Sequence, residues 1–195
     1  MMDKSVKEFL DSVAAKTPTP GGGSVAALSA AISCSLAEMV CNLTIGKKKY
    51  ADVEEEMKRM AAKMAKARQQ FLQLVEEDAK AFDEVMKAYK EGGDAQAALK
   101  KAASVPYETA SQCISIMDNL LVIAEKGNKN SITDAGVAAL MAKAAFHSAL
   151  LNVKINLKYI EDEQYKQKME KEMEEMTESM ERKFNKVIEI VEKWL

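Results

Sequence analysis

Residues able to do chemistry are few in this chain, and they fall into a small number of patterns. The sharpest is Asp78. The apolar stripe Met57, Met60, Met64, Ala67, Phe71, Leu74 continues through Ala81, Val85 and Tyr89, and Asp78 stands in it where a core residue is expected. A carboxylate at such a position is either paired or has a raised pKa, and both conditions suit general acid/base work. A buried structural acid paired with a lysine is the alternative. The second pattern is Pro18-Thr19-Pro20-Gly21-Gly22-Gly23-Ser24, which cannot be helical and runs straight into a helix. Glycines there allow close backbone approach, a helix N-terminus favours anions and polar rings, and the prolines stiffen the entry. No Gly-Lys-Ser/Thr follows, so it is not a nucleotide P-loop. A tight turn that only allows close packing is the competing reading.

Weaker candidates follow. Ser131-Ile132-Thr133-Asp134 reads as a capping box, with Asp134 suited to the dipole of a first helical turn or to a catalytic role. Asn152 and Asn156 lie one turn apart and offer amides to a heteroaromatic ring, or simply face solvent. Lys47, Lys48 and Lys49 beside Gly46 form a solvated charge run that would also suit a carboxylate tail. Ser24, Ala31, Ser35, Glu38 and Asn42 form a polar stripe facing water, a cavity or polar groups.

The elements that must position these residues are helices throughout. No segment alternates apolar and polar residues with β-branched enrichment, so no strand is predicted. The first helix is expected from an Asp3 N-cap to Ala15, burying Val6, Phe9, Leu10 and Val13. Ser24 is expected to cap the second, which runs to Thr44. A very long helix is predicted from Ala51 to Tyr89, stopped by Gly92-Gly93. A short helix over 95–103 precedes another that starts at Pro106 and ends near Glu125. Gly127-Asn128-Lys129-Asn130 breaks the chain before a helix over 132–159, and the last helix spans 163–195 with Met169, Met173, Met176, Met180, Phe184, Val187, Val191 and Leu195 as its stripe. Long helices joined by short loops predict an all-α antiparallel bundle without a sheet, as a single domain over residues 1–195.

Composition narrows the function. The net charge of −2 supplies no field to steer nucleic acid or an acidic membrane. Cys34, Cys41 and Cys113 sit in apolar helical stretches and read as buried, reduced thiols of a cytoplasmic protein. A lone histidine, His147, argues against a zinc site, and no metal is expected. Met1 to Leu10 has no apolar run of a signal peptide, and Val25–Ile45, the only segment near membrane length, reads as a buried central helix.

The ordered motifs carry more. Thr17-Pro18-Thr19-Pro20-Gly21-Gly22-Gly23-Ser24 before an alanine-rich helix, Leu43-Thr44-Ile45-Gly46-Lys47-Lys48, Asp78-Ala79-Lys80-Ala81-Phe82, Ser104-Val105-Pro106, Gly127-Asn128 with Ser131 to Asp134, and Asn152 to Leu157 together resemble the cyclodeaminase/cyclohydrolase family of folate enzymes over nearly the whole chain. The resemblance implies a stand-alone helical homodimer acting on one-carbon-substituted tetrahydrofolate, without metal or redox cofactor. Two reactions are implied: closure of 5-formiminotetrahydrofolate to 5,10-methenyltetrahydrofolate with loss of ammonia, or opening of the methenyl bridge by water to 10-formyltetrahydrofolate. Laid on these motifs, Asp78 is expected as the acid/base with Asp134 assisting. Gly21, Gly22, Gly23 and Ser24 are expected at the pterin or bridge, Asn152 and Asn156 at pterin edges, and Lys47 and Lys48 at the glutamate tail, with Pro20 and Asn128 as further substrate-binding residues. The rival readings are a non-catalytic interaction protein using the Met-rich last helix and a non-catalytic folate carrier.

Overall fold

Helical periodicity without strand patterning becomes six α-helices and no sheet in the computed structural model, which describes residues 1–195. They are α1 (Val6–Ala14), α2 (Gly22–Asn42), α3 (Glu54–Glu91), α4 (Ala95–Lys126), α5 (Ile132–Leu157) and α6 (Glu163–Glu192). Short connections force each helix to run back along its predecessor. Helices α2, α3, α4 and α5 close a four-helix ring in which α2 touches α3 and α5, and α4 touches the same two. Helix α6 packs outside on α4 and α5. The bundle therefore has two ends. One holds the start of α2, the end of α3, the start of α4 and the end of α5; the other holds the opposite termini.

Local chemistry explains most boundaries. Ser5 and Glu8 form a reciprocal capping box, so α1 begins at Val6 and not after Asp3. Gly92 ends α3 in the left-handed conformation with φ of 76°, which costs a glycine nothing. Asp94 and Asp162 accept the N–H groups of Ala97 and Tyr165 to start α4 and α6. The lysine run leads into a 3-10 segment, Lys48–Val53, before α3.

Pro106 departs from expectation: it lies inside one continuous helix, α4, where two helices were predicted. It is buried, and burial of its neighbours Val105, Thr109 and Ala110 in the core holds the helix through the break. A proline has no N–H for the carbonyl four residues back, so the Ala102 oxygen must find another donor.

The core is continuous, with Phe71, Phe146, Met57, Met64 and Met180 fully buried. Where α2 crosses α5, alanines replace large side chains, and the Ser33 hydroxyl donates to the Ala138 carbonyl at 2.7 Å. Cys34, Cys41 and Cys113 are all buried and unpaired. Burial pushes the Cys34 and Cys41 thiols up to about 12.

Three expected surfaces differ. On α1 only Phe9 enters the core, while Val6, Leu10 and Val13 are exposed. On α2 the outer face is apolar, carrying Ile32, Met39 and Leu43, while Glu38 pairs with Arg68 of α3 at 3.1 Å. Two segments, not one, are long and apolar enough to cross a membrane: Gly22–Asn42 and Lys129–Leu157, each covered over only about half of its surface window by the rest of the bundle.

Candidate active site

Asp78 sits midway along the second half of α3, whose outward turn faces the first turn of α2. Gly21 is the N-cap of α2 and offers no side chain, so the first-turn N–H groups lack a cap from their own segment. The Asp78 carboxylate takes that place from the neighbouring helix. A Cβ on Gly23 would lie 2.0 Å from Asp78 Oδ1 and 2.8 Å from Oδ2, so only glycine allows this approach. The Ser24 hydroxyl donates to Asp78 Oδ2 at 2.9 Å, with the Val75 carbonyl at 3.1 Å as its other acceptor. Ser24 is fully buried, so it is neither the helix cap nor a surface for a ligand; it orients the carboxylate. Burial raises the Asp78 pKa above its ordinary value, and the Ser24 hydroxyl and N–H pull it partly back down.

The carboxylate opens onto a cleft of about 410 Å³, within the range of small-molecule sites. Its polar end is lined by Gly21, Gly22, Gly23, Asp78, Asn152 and Asn156. Pro20, joined to Thr19 by a cis peptide, is buried and does not line the cleft, which corrects the expectation that it meets the substrate there. Gly22 lets the Asn152 amide come close, since a Cβ there would stand 3.3 Å from Nδ2. The Asn152 Nδ2 donates to the Ser148 carbonyl at 2.8 Å. The Asn156 Nδ2 donates both to the Asn152 carbonyl, at 2.8 Å, and to the Ala102 carbonyl, at 3.2 Å. The Ala102 oxygen is the one that Pro106 leaves without its helical donor, so the proline supplies an anchor for Asn156. With both N–H groups of Asn156 occupied, its Oδ1 is the acceptor left for a ligand.

The other end of the cleft is apolar, lined by Phe82, Val85 and Tyr89 of α3, Leu99 and Ala102 of α4, and Ile155 and Tyr159 near the end of α5. Sequence reasoning placed Val85 and Tyr89 in the core stripe and did not single out Phe82 or Tyr159. The signal was present: 78, 82, 85 and 89 share one face of α3 with the catalytic candidate.

The remaining candidates lie at the opposite end of the bundle. Asp134 occupies the first turn of α5, eighteen residues before Asn152, which is about 27 Å along a helix. Lys47 and Lys48 follow the far end of α2, about 30 Å from its glycine start. Within one chain none of the three reaches the cleft, which corrects the expectation that Asp134 assists Asp78 directly. Asn128 is buried and braces the turn there: its N–H donates to Thr44 Oγ1 at 2.8 Å and its Nδ2 to the Leu43 carbonyl at 3.0 Å. Ser131 makes no cap; its hydroxyl donates to the Asn128 carbonyl at 2.9 Å.

Comparison with known proteins identifies the family. Residues 5–175 match the family model described as formiminotransferase-cyclodeaminase. The chain is 41% identical over 183 residues to a methenyltetrahydrofolate cyclohydrolase of Methylorubrum extorquens, covering 88% of each chain. It is 33% identical over 179 residues to the mouse (Mus musculus) formimidoyltransferase-cyclodeaminase, of which it spans only 33%. The crystal structure of a formiminotetrahydrofolate cyclodeaminase from Thermotoga maritima superposes with a TM-score of 0.94 at 43% identity, covering 98% of both chains. The ordered motifs, the six-helix bundle and the extent of these matches agree, and the chain belongs to the formiminotransferase-cyclodeaminase family.

Proposed function

We propose that this chain is a folate one-carbon enzyme that closes 5-formiminotetrahydrofolate to 5,10-methenyltetrahydrofolate and releases ammonia, with Asp78 as the acid/base. The observation that carries this reading is the Asp78 carboxylate. It is partly desolvated, fixed by Ser24, and aimed into a cleft with amide acceptors on one side and an aromatic wall on the other.

In ring closure, N10 attacks the formimino carbon and its proton must leave, while the amino group of the tetrahedral intermediate must gain a proton to depart as ammonia. A carboxylate with a raised pKa can take the first proton and return it to the leaving nitrogen. The carbon stays at one oxidation level throughout, so the step requires no redox cofactor, and proton transfer by Asp78 supplies the catalysis without a metal. Free Oδ1 atoms of Asn152 and Asn156 suit the N–H donors of a pterin edge. Phe82, Tyr89 and Tyr159 suit the flat rings of the substrate.

A second reading is hydrolysis of the methenyl bridge to 10-formyltetrahydrofolate, in which Asp78 takes a proton from the attacking water. The Methylorubrum extorquens relative, similar over most of both chains, favours it. The same reading takes the protein as a cytoplasmic homodimer with neither nucleic acid nor membrane as partner. The near-ultraviolet band of the methenyl bridge separates the reactions. Its appearance from the formimino substrate with ammonia release supports the cyclodeaminase. Accelerated loss from the methenyl compound alone supports the cyclohydrolase. Tight binding without turnover of either would leave a folate carrier, and neither binding nor turnover would favour an interaction protein.

A further inference from the structure

Part of the cleft's apolar wall comes from a turn and not from a helix. Helix α5 stops at Leu157 and α6 starts at Glu163, and Tyr159, which lines the cleft, lies between them. There the Tyr159 carbonyl and the Glu161 N–H have no backbone partner. One side chain from another helix takes both. Gln96 Nε2 donates to the Tyr159 carbonyl at 3.1 Å, and the Glu161 N–H donates to Gln96 Oε1 at 2.9 Å. The amide serves as a peptide group would, fixing the backbone on both sides of buried Ile160. Gln96 stands in the first turn of α4, on the face that carries Leu99 and Ala102 to the cleft. Two other ties bracket the turn: Asn156 donates to the Ala102 carbonyl before it, and Lys100 pairs with Asp162 at 2.7 Å after it. Between those ties, Gln96 makes the hydrogen bonds that join residues 157–161 to α4. The Tyr159 side chain is 53% exposed, with Lys158 Nζ 5.8 Å from its ring centroid. A half-exposed ring is not locked by packing, so its direction depends on how firmly its backbone is held.

We propose that Gln96 is a positioning residue: by fixing the Tyr159 backbone it holds that ring as the wall on which the substrate's aminobenzoyl ring lies. The role rests on the folate reading, and the order of groups along the cleft supports it. Asp78 must face the one-carbon unit, which joins the pterin to the aminobenzoyl nitrogen. Asn152 and Asn156 suit the pterin edge at the polar end, which leaves the aminobenzoyl ring to the apolar end with Phe82, Tyr89 and Tyr159. Tyr89 lies eleven residues beyond Asp78, about 16 Å along α3, so the apolar end extends well away from the reacting carbon. An aromatic wall there supplies affinity and moves no proton, so its loss shows in KM and not in kcat.

A double-mutant cycle tests this. Gln96→Met keeps the length of the side chain and removes both hydrogen bonds. With the folate that wild type turns over, Gln96→Met and Tyr159→Leu are each expected to raise KM about 3–10-fold, the worth of one aromatic contact, while kcat stays within about twofold. Because Gln96 acts through Tyr159, the double variant should show no greater loss than Tyr159→Leu alone. Lys100→Met cuts the outer tie of the same turn and should leave KM at the wild-type value. Circular dichroism confirms that each variant is folded. Wild-type KM in folded Gln96→Met, losses that multiply in the double variant, or an equal rise of KM in Lys100→Met overturns the proposal. A wild type that turns over neither folate overturns the enzyme reading and this role together, whereas an active wild type with an unchanged Gln96→Met overturns this role alone.

Discussion

Replacing Gly23 with alanine tests whether the placement of Asp78 is what the glycine loop is for. By helix propensity alone the change should help, because alanine is better than glycine inside a helix by up to about 1 kcal/mol. The structure predicts the opposite. The new Cβ would sit 2.0 Å from Asp78 Oδ1, 2.6 Å from Cγ and 2.8 Å from Oδ2, against an ordinary contact of about 3.4 Å or more. The carboxylate must therefore retreat by more than an ångström, which breaks its 2.9 Å bond from Ser24. A hydrogen bond to a charged group contributes about 1.5–3 kcal/mol. Set against the propensity gain, the net loss is about 0.5–2 kcal/mol, or a Tm lower by roughly 1–8 °C for a chain of this size. Displacement of a catalytic group by an ångström lowers turnover by about 100-fold. Methenyl absorbance gives kcat, circular dichroism gives Tm, and folate binding separates a misplaced carboxylate from a closed cleft. Gly22→Ala is the control: its Cβ would meet only Asn152, at 3.3 Å, so KM should rise while kcat stays near wild type. Wild-type turnover in folded Gly23→Ala would refute the role given to Asp78.

Other consequences can be checked together. Because burial raises the Asp78 pKa in the folded state, the native protein binds a proton at pH values where the unfolded chain has released it. Wild type is then destabilised as pH rises through the window between the ordinary and the raised value. Asp78→Asn should melt higher than wild type above that window, and the gap should close as pH falls to the ordinary carboxylate range; a pH-independent gap would contradict the buried charge. Wild-type kcat should fall on the acid side with an apparent pKa above that of a free aspartate, because a protonated Asp78 cannot accept the proton of N10 or water. Asn156→Leu should raise KM and lose about 1–3 kcal/mol of stability, since the Ala102 carbonyl then has neither Pro106 nor Asn156 as donor; chemical denaturation would detect this, and unchanged stability would show that the carbonyl finds another partner. Cys34, Cys41 and Cys113 should resist a thiol reagent until the protein unfolds, with reaction in the native state counting against their burial.

Period and punctuation determined the fold class. A 3.6-residue repeat broken only at a few Gly and Pro clusters leaves an antiparallel bundle as the way to bury every stripe, and residue type alone marked Asp78 as out of place on its helix. The glycine run was legible as a site of close approach, though the sequence could not say what approaches. Only tertiary structure decided that it is the carboxylate of another helix, because Gly23 and Asp78 are fifty-five residues apart in the chain and meet through the packing of α2 on α3. The same holds for Pro106, read as a helix start because its local cost is high, yet kept inside α4 by the core around it and by Asn156, which satisfies the freed carbonyl. Ser24 read as a cap because capping is a local rule; a buried hydroxyl within reach of a carboxylate obeys a stronger, non-local one. Asp134, Lys47 and Lys48 were grouped with Asp78 by motif, and motif order says nothing about distance. Helices of known rise put them at the far end of the bundle, since a rigid α5 cannot bring its first turn to its last.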